Sequence, residues 1–208
     1  MTGEGVRRGG RAALPTGELI VWSIADGRRG RRWREVTSTA GMVVRAVLLE
    51  TDPAGRLTRL EMATAAGLLT LHPDRGESVL HGNGVTPTGI RHLTFDRTTV
   101  LVDGSPAAAA IALSRLADGV PVGAPSRVDL VQVDDRLEPR MESWAVIRIE
   151  PQTWRFVELL EAGGGGGSRP DDRGERGPGP EMGAEERIVR LDEDGLPILA
   201  GDAWPLEI

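Results

Sequence analysis

The stretch of residues 33–64, WREVTSTAGMVVRAVLLETDPAGRLTRLEMAT, decides the fold class. Its apolar residues alternate with polar ones over three short runs, which are separated by the dipeptide AG at 40–41 and the tetrapeptide DPAG at 52–55. Alternation over runs of this length is typical of half-buried strands, and glycine, proline and aspartate favour the backbone conformations of tight turns. The stretch therefore predicts antiparallel strands that are joined by hairpins.

The same pattern continues on both sides of this stretch. Runs of strand-forming residues recur at intervals of about 8–12 residues, which is typical of an antiparallel meander and not of alternating strands and helices. We expect further strands at residues 18–25, 68–72, 78–82, 90–95, 127–133, 143–150 and 153–161.

One helix interrupts the strands, at about residues 105–118 (SPAAAAIALSRLAD). Ser105 is a favourable N-cap, Pro106 suits the first helical position, and Gly119 lies where a helix can end in a left-handed conformation. The many alanines allow this helix to approach a sheet closely. Together these elements predict a mainly β fold, in which one short helix packs on a single antiparallel sheet.

Residues 163–186 have the composition of disordered chain. Glycine, proline and charged residues dominate this segment, so it cannot bury enough apolar surface to offset the entropy lost on ordering. The residues after it are too apolar for a solvated tail and too few to fold alone. The sequence therefore predicts a disordered N-terminal arm (1–16) and a single β domain (17–208) with a disordered internal loop (163–186).

The composition excludes several classes of protein. The chain has no cysteine, and its 25 lysine-plus-arginine residues are all arginine. Disulfides, thiolate metal sites, cysteine nucleophiles and Schiff-base lysines are thereby excluded. No apolar run approaches the roughly 18 residues that indicate a transmembrane helix. The N-terminus lacks the apolar core of an export signal, so we expect a cytoplasmic protein.

The three histidines, His72, His81 and His92, lie in predicted strands. Their spacings match no zinc-binding pattern, and the chain has no helical HExxH pair. The glycine-containing stretch 82–89 (GNGVTPTG) precedes a predicted strand, whereas a phosphate-binding loop needs a helix there. We therefore expect no metal and no cofactor.

Five of the seven residues from Arg28 to Arg34 are arginine. Such a basic hairpin tip could bind phosphate, an anionic lipid headgroup or nucleic acid. The net charge of −6 favours a solvated loop instead, and we expect no nucleic-acid partner.

Five tryptophans occur in a chain with only two phenylalanines. Large aromatic side chains dominate small cores, so we expect most of the tryptophans to be buried. Trp144 and Trp154 fall in consecutive predicted strands. These two residues, with Trp33 as a further candidate, would line the cavity of a protein that binds an apolar ligand.

Three segments carry a resemblance to a known family: VTPTGIRHL (85–93), SWAVIRIEPQTWRFVELLE (143–161) and LDEDGLPILAGDAWPLE (191–207). They are a threonine-proline turn that leads into a strand, a pair of aromatic-rich strands, and a closing hairpin. In these segments the chain resembles the glycolipid-binding family of uncharacterised bacterial proteins. The resemblance implies a strongly curved, half-barrel-like antiparallel sheet around an apolar groove, as in lipoprotein carriers.

We therefore expect a non-catalytic module that holds an apolar or amphipathic, lipid-like ligand in the concave face of the curved sheet. Trp144 and Trp154 would line the groove, and Arg91 with His92 would meet a polar headgroup at its edge.

Two alternatives stay open. A small enzyme would pair His92 with Asp96 or Glu142 on a hydrophobic substrate. A protein-interaction module would instead use the acidic part of the loop, at 168–186, or the arginine-rich tip at 28–34. The sequence indicates no oligomeric state.

Overall fold

A computed structural model of the protein describes residues 7–14, 16–74, 78–116, 119–159, 182–198 and 204–205, with the backbone alone at 182–186 and 204–205. Within these residues the fold has fourteen strands and one helix, so the predicted mainly β class is confirmed. The elements are β1 (Arg7–Ala13), β2 (Leu19–Gly27), β3 (Gly30–Thr39), β4 (Met42–Thr51), β5 (Leu57–Thr64), β6 (Gly67–Pro73), β7 (Leu80–Thr86), β8 (Gly89–Phe95), β9 (Val100–Val102), α1 (Pro106–Leu116), β10 (Pro125–Val133), β11 (Arg140–Glu150), β12 (Thr153–Leu159), β13 (Met182–Arg190) and β14 (Trp204–Pro205).

The described strands divide into a large antiparallel sheet and a curled, half-barrel-like sheet. In the larger sheet β1 to β8 pair in chain order, with β14 beside β1. The smaller sheet has the order β13-β12-β11-β10-β9, and its β9–β10 pair is parallel. A parallel pair needs a crossover connection, which α1 supplies between β9 and β10. The described strands therefore form two sheets, whereas the pattern predicted one.

The hydrophobic core joins both sheets to α1. The helix packs closely because its buried side chains are mostly alanine, as expected from the sequence. We call the face of the larger sheet that carries the buried residues its inner face, and the opposite face its outer face. Among the core residues are Leu49, Leu60, Met62, Leu69 and Leu71 from the inner face, and Leu130, Trp144, Val146, Trp154 and Phe156 from the smaller sheet.

The predicted disordered arm at 1–16 is wrong for the part of it that forms β1. Arg7–Ala13 pairs with β2 over the whole length of the strand. Its sequence, RRGGRAA, lacks the apolar alternation on which the strand prediction depended. The backbone ladder stabilises it instead, and Trp22 packs so closely over Gly10 that a Cβ there would lie 2.7 Å from the indole.

The strands near the C-terminus divide between the two sheets, with β13 in the smaller sheet and β14 in the larger one. β13 pairs with β12, and Leu191 and Leu196 after it are buried. The strand begins at Met182, so the end of the segment predicted as a loop is extended chain. The rest of that segment lies outside the described residues.

Candidate functional site

An apolar groove with a volume of about 280 Å³ lies beside the N-terminal end of α1. It brings together parts of the chain that are far apart in sequence: β9, the first turn of α1, β12, β13 and the segment after β13. We call it the apolar groove, and its apolar lining includes Val102, Pro106, Phe156, Ile188, Pro197 and Ile198.

Two isoleucines of this groove are unusually exposed. Ile188 is 58% and Ile198 54% exposed. The two segments are fixed to each other, because the Ile198 amide donates to the Arg190 carbonyl at 2.7 Å and Leu191 forms a bridge with Pro197. The groove therefore has an apolar wall that faces water and is held by backbone hydrogen bonds.

Two arginines lie on the same wall. The Arg187 guanidinium is held in place, since it donates to Asp103 Oδ1 at 2.9 Å and stacks 5.1 Å from the Trp144 ring. Arg190 is exposed, and its side chain has no ion pair within the described residues. An anionic group at the groove would lie beside a guanidinium that has no ion pair among the described residues.

The N-terminus of α1 is already capped, and its cap comes from the larger sheet. The Glu35 carboxylate on β3 accepts hydrogen bonds from the Ala107 amide at 2.7 Å and from the Ser105 hydroxyl. Ser105 Oγ in turn accepts from the Ala108 amide at 3.2 Å. Burial raises the pKa of Glu35, although these hydrogen bonds oppose the shift. The helix end is thus occupied by a carboxylate of the protein itself.

Arg45 on β4 also links the N-terminal end of α1 to the larger sheet. Its guanidinium donates to the Gly104 carbonyl at 3.1 Å, to Thr37 Oγ1 at 3.3 Å and to Asp135 at 2.8 Å. Residues 104–106 form one edge of the apolar groove. That edge is therefore held rigidly against the larger sheet.

A second cavity of about 370 Å³ lies where the β2–β3 hairpin meets α1, and its lining includes Asp26, Arg31, Trp33 and Asp194. Arg31 donates to Asp26 at 2.6 Å and lies 5.5 Å from the Trp33 ring. The buried Trp33 indole N–H has no partner among the described residues. This cavity has both polar and apolar walls, and it is the one to which the predicted candidate Trp33 belongs.

A third cavity, of about 470 Å³, lies against the smaller sheet and is strongly charged. Burial and the nearby Glu158 carboxylate raise the pKa of Glu142, whereas the hydrogen bond from Ser143 lowers the pKa of Asp129. Asp96 also lines this cavity, but His92 does not. The structure therefore does not bring together the histidine and carboxylates of the alternative enzyme.

Trp144 and Trp154 are 0% and 1% exposed, so both indoles lie in the core. Trp144 packs edge-on against Phe156, with 6.3 Å between the ring centroids. Phe156 reaches the apolar groove, whereas neither indole is part of its lining. Direct contact of the two indoles with a ligand stays a prediction.

Arg91 and His92 point to opposite faces of β8. Arg91 lies towards the inner side and donates to the Leu137 carbonyl at 2.9 Å. His92 lies on the outer face, where its Nδ1 is 2.7 Å from Asn83 Oδ1. The structure therefore does not bring them together as one headgroup site.

His72 and His81 are also on the outer face, with ring centroids 6.4 Å apart. The part of the chain that the structure describes has no group of three metal-binding side chains.

The sequence prediction missed Ile188, Ile198 and Arg190. A signal was present, since the segment after the predicted loop was too apolar for a solvated tail. The sequence could not indicate that α1 and β9 lie beside this segment, because both are far from it along the chain.

No family model matches the sequence, and no curated protein matches it. A solved structure, that of a DUF1089 family protein from Pseudomonas aeruginosa, is similar over 95% of this chain and 89% of that chain. The TM-score is 0.51 and the sequence identity 16%. At this identity the similarity shows a shared fold alone. Within the described residues, no helix is long and apolar enough to cross a membrane.

Proposed function

We propose that the protein is a non-catalytic binding module for an amphipathic anion, with an alkyl chain in the apolar groove and an anionic head beside Arg190. The observation that carries this proposal is the pair of exposed isoleucines, Ile188 and Ile198, in a groove next to a guanidinium without an ion pair among the described residues. Protein surfaces seldom leave a concave apolar wall in water unless it serves a partner.

The apolar part of the ligand would supply most of the binding energy. Removing one large aliphatic side chain from water contributes about 1.5–3 kcal/mol, and here two lie side by side. The groove volume of about 280 Å³ is close to the lower end of the roughly 300–1,000 Å³ range of small-molecule sites. A single medium-length alkyl chain fits this volume better than a bulky ring system.

The charge that we propose for the headgroup of the ligand follows from the charged groups at the groove. The amides of the first turn of α1 already have Glu35 and Ser105 as acceptors, so the helix end is not available to an anion. Arg187 is held by Asp103, which leaves Arg190 as the cation for the headgroup. A carboxylate or phosphate head suits a guanidinium in this position.

The resemblance to the glycolipid-binding family supports the same class of ligand. Phe156 belongs to the second segment of the resemblance, and Pro197 and Ile198 belong to the third. A glycolipid would be one member of the class, with its sugar in solvent outside the groove.

The proposal is tested by calorimetric titration with three ligands that share one alkyl chain: decanoate, decanol and decyltrimethylammonium. We expect the carboxylate to bind most tightly and the cation most weakly. Ile188→Asp and Ile198→Asp should each weaken decanoate binding by about tenfold or more, because an aliphatic contact is lost and a like charge is added. Arg190→Gln should weaken binding of decanoate but not of decanol.

Val122→Asp is the matched control, because Val122 is 59% exposed and does not line the groove. This variant should bind decanoate like the unmodified protein. The proposal is overturned if none of the three ligands gives a saturable heat, or if Val122→Asp weakens binding as much as the groove variants do.

A further inference from the structure

The outer face of the larger sheet carries a continuous row of apolar side chains across seven strands, β2 to β8. Neighbours in the row are direct cross-strand partners, from Val21 paired with Val36 to Val85 paired with Ile90. With about 4.8 Å between strands, the row is about 29 Å long. We call it the apolar band, and it consists of Val21, Val36, Ala46, Ala63, Leu68, Val85 and Ile90.

The band lies near one end of the sheet, where the β3–β4, β5–β6 and β7–β8 turns are uncharged, whereas the β1–β2 turn at the same end contains Glu18. In a meander every second turn falls at the same end, so the β3–β4, β5–β6 and β7–β8 turns lie together. The stretches that contain them, 36–44 (VTSTAGMVV), 63–71 (ATAAGLLTL) and 84–90 (GVTPTGI), have no charged residue. The opposite end is charged, with Arg28 and Arg29 in one turn and Asp52 in the next.

Exposure of apolar side chains is greatest at these turns. Met42 is 70% and Val43 66% exposed at the β3–β4 turn, and Ile90 is 67% exposed after the β7–β8 turn. Further from the turns, Val36 is 37% exposed. The apolar side chains thus project at the end of the sheet more than from its middle.

The row next to the apolar band is mostly polar. It contains Arg34, Glu61, Thr70, Asn83 and His92 on β3, β5, β6, β7 and β8, with Leu48 of β4 between Arg34 and Glu61. On β5 to β8 the band lies only two residues from the turns, or about 7 Å along a strand. The apolar surface is therefore long and shallow, and polar residues border it on the side nearer the middle of the sheet.

We infer that the three uncharged turns of the larger sheet dock on the surface of an electrically neutral lipid bilayer. Amphipathic elements at a bilayer surface bury their apolar side chains about 5–10 Å deep, which matches the depth of the band. Threonine hydroxyls in the turns would lie among the headgroups. The net charge of −6 and the absence of arginine from these turns disfavour an anionic membrane.

A second copy of the chain fits this surface less well. A stable interface buries about 800 Å² on each partner and needs close-packed side chains over that area. Two sheets packed face to face would place the polar row, with Arg34 and Glu61, inside the interface. A bilayer accepts a narrow apolar strip and leaves the polar row in water.

The test is co-flotation of the protein with phosphatidylcholine vesicles. We expect the unmodified protein to float with the vesicles, with no gain in binding when phosphatidylglycerol is added. The double variant Met42→Asp/Ile90→Asp should bind at least about tenfold more weakly, because two exposed apolar side chains are replaced by charges. The milder double variant Met42→Gln/Ile90→Thr should show a smaller loss in the same direction.

The matched control is Val122→Asp/Met141→Asp, which adds the same charge at two exposed apolar residues outside the larger sheet. It should float like the unmodified protein, and circular dichroism should show every variant folded. The inference is overturned if the unmodified protein does not float, if binding requires anionic lipid, or if both double aspartate variants lose binding equally. A dimer in solution that Met42→Asp/Ile90→Asp dissociates, without vesicle binding, would assign the band to a second copy instead.

This inference does not depend on the apolar groove. Ile188→Asp should weaken decanoate binding and leave flotation unchanged, whereas Met42→Asp/Ile90→Asp should weaken flotation and leave decanoate binding unchanged. The two proposals therefore fail separately.

Discussion

Glu35 shows how one buried side chain connects the larger sheet with the helix beside the apolar groove. A buried carboxylate is costly unless hydrogen bonds satisfy it, and here Ser105 and the Ala107 amide do so. The residue fits no motif in the sequence, because Glu35 and α1 are about seventy residues apart. Ser105, by contrast, was predictable as an N-cap from its local sequence alone.

Glu35 gives a prediction for the pH dependence of stability. Burial raises its pKa above the ordinary value of 4.5. At pH values between the ordinary pKa and the raised pKa, Glu35 is protonated in the folded chain and ionised in the unfolded chain. The stabilisation from this group is full below its ordinary pKa and is lost as the pH rises through the raised pKa. The free energy of unfolding of the unmodified protein should therefore fall relative to that of Glu35→Gln as the pH increases from 4.5.

Urea denaturation of both proteins at a series of pH values measures this difference. Glu61→Gln, on the outer face, controls for the loss of one negative charge. A difference between the unmodified protein and Glu35→Gln that stays constant with pH, or grows as the pH rises, contradicts the assignment.

Strand β7 contains two glycines at which an alanine substitution should have different effects on stability. Both Gly82 and Gly84 are buried on the inner face. A Cβ at Gly82 would overlap the Thr70 carbonyl oxygen and lie 2.6 Å from Leu71 Cδ2, whereas at Gly84 the nearest atom, Arg91 Nη2, is 3.9 Å away. We expect Gly82→Ala to destabilise the fold by about 2 kcal/mol or more, and Gly84→Ala to stay within about 0.5 kcal/mol.

Chemical denaturation of the two single variants measures these losses, and each variant is the control of the other. Equal losses, or a larger loss for Gly84→Ala, would contradict the close approach of β7 to β6.

Most elements were predictable from local patterns. The alternation in 33–64 and the caps at Ser105 and Pro106 act within a few residues of where they stand, so β3 to β5 and α1 follow from the sequence. β1 was missed because two glycines and two alanines carry no apolar alternation. Its register comes from the β2 backbone and from Trp22, which are contacts that no local pattern encodes.

At the scale of the whole molecule, the candidate site depends on contacts between distant segments. Val102, Pro106, Phe156, Ile188 and Ile198 meet only after the crossover through α1 has placed the smaller sheet against the helix. The sequence predicted an apolar site among aromatic residues. It could not distinguish indoles in the core, such as Trp144, from the phenylalanine and isoleucines at the groove.

We propose that an alkyl chain occupies the apolar groove. The most direct test of this proposal is methyl NMR of isoleucine-labelled protein with decanoate that carries a nitroxide at the chain end, used below its critical micelle concentration. We expect saturable broadening of the Ile188 and Ile198 methyl signals, with Ile90 unchanged. Broadening that spares Ile188 and Ile198, or that affects every exposed isoleucine alike, would contradict it.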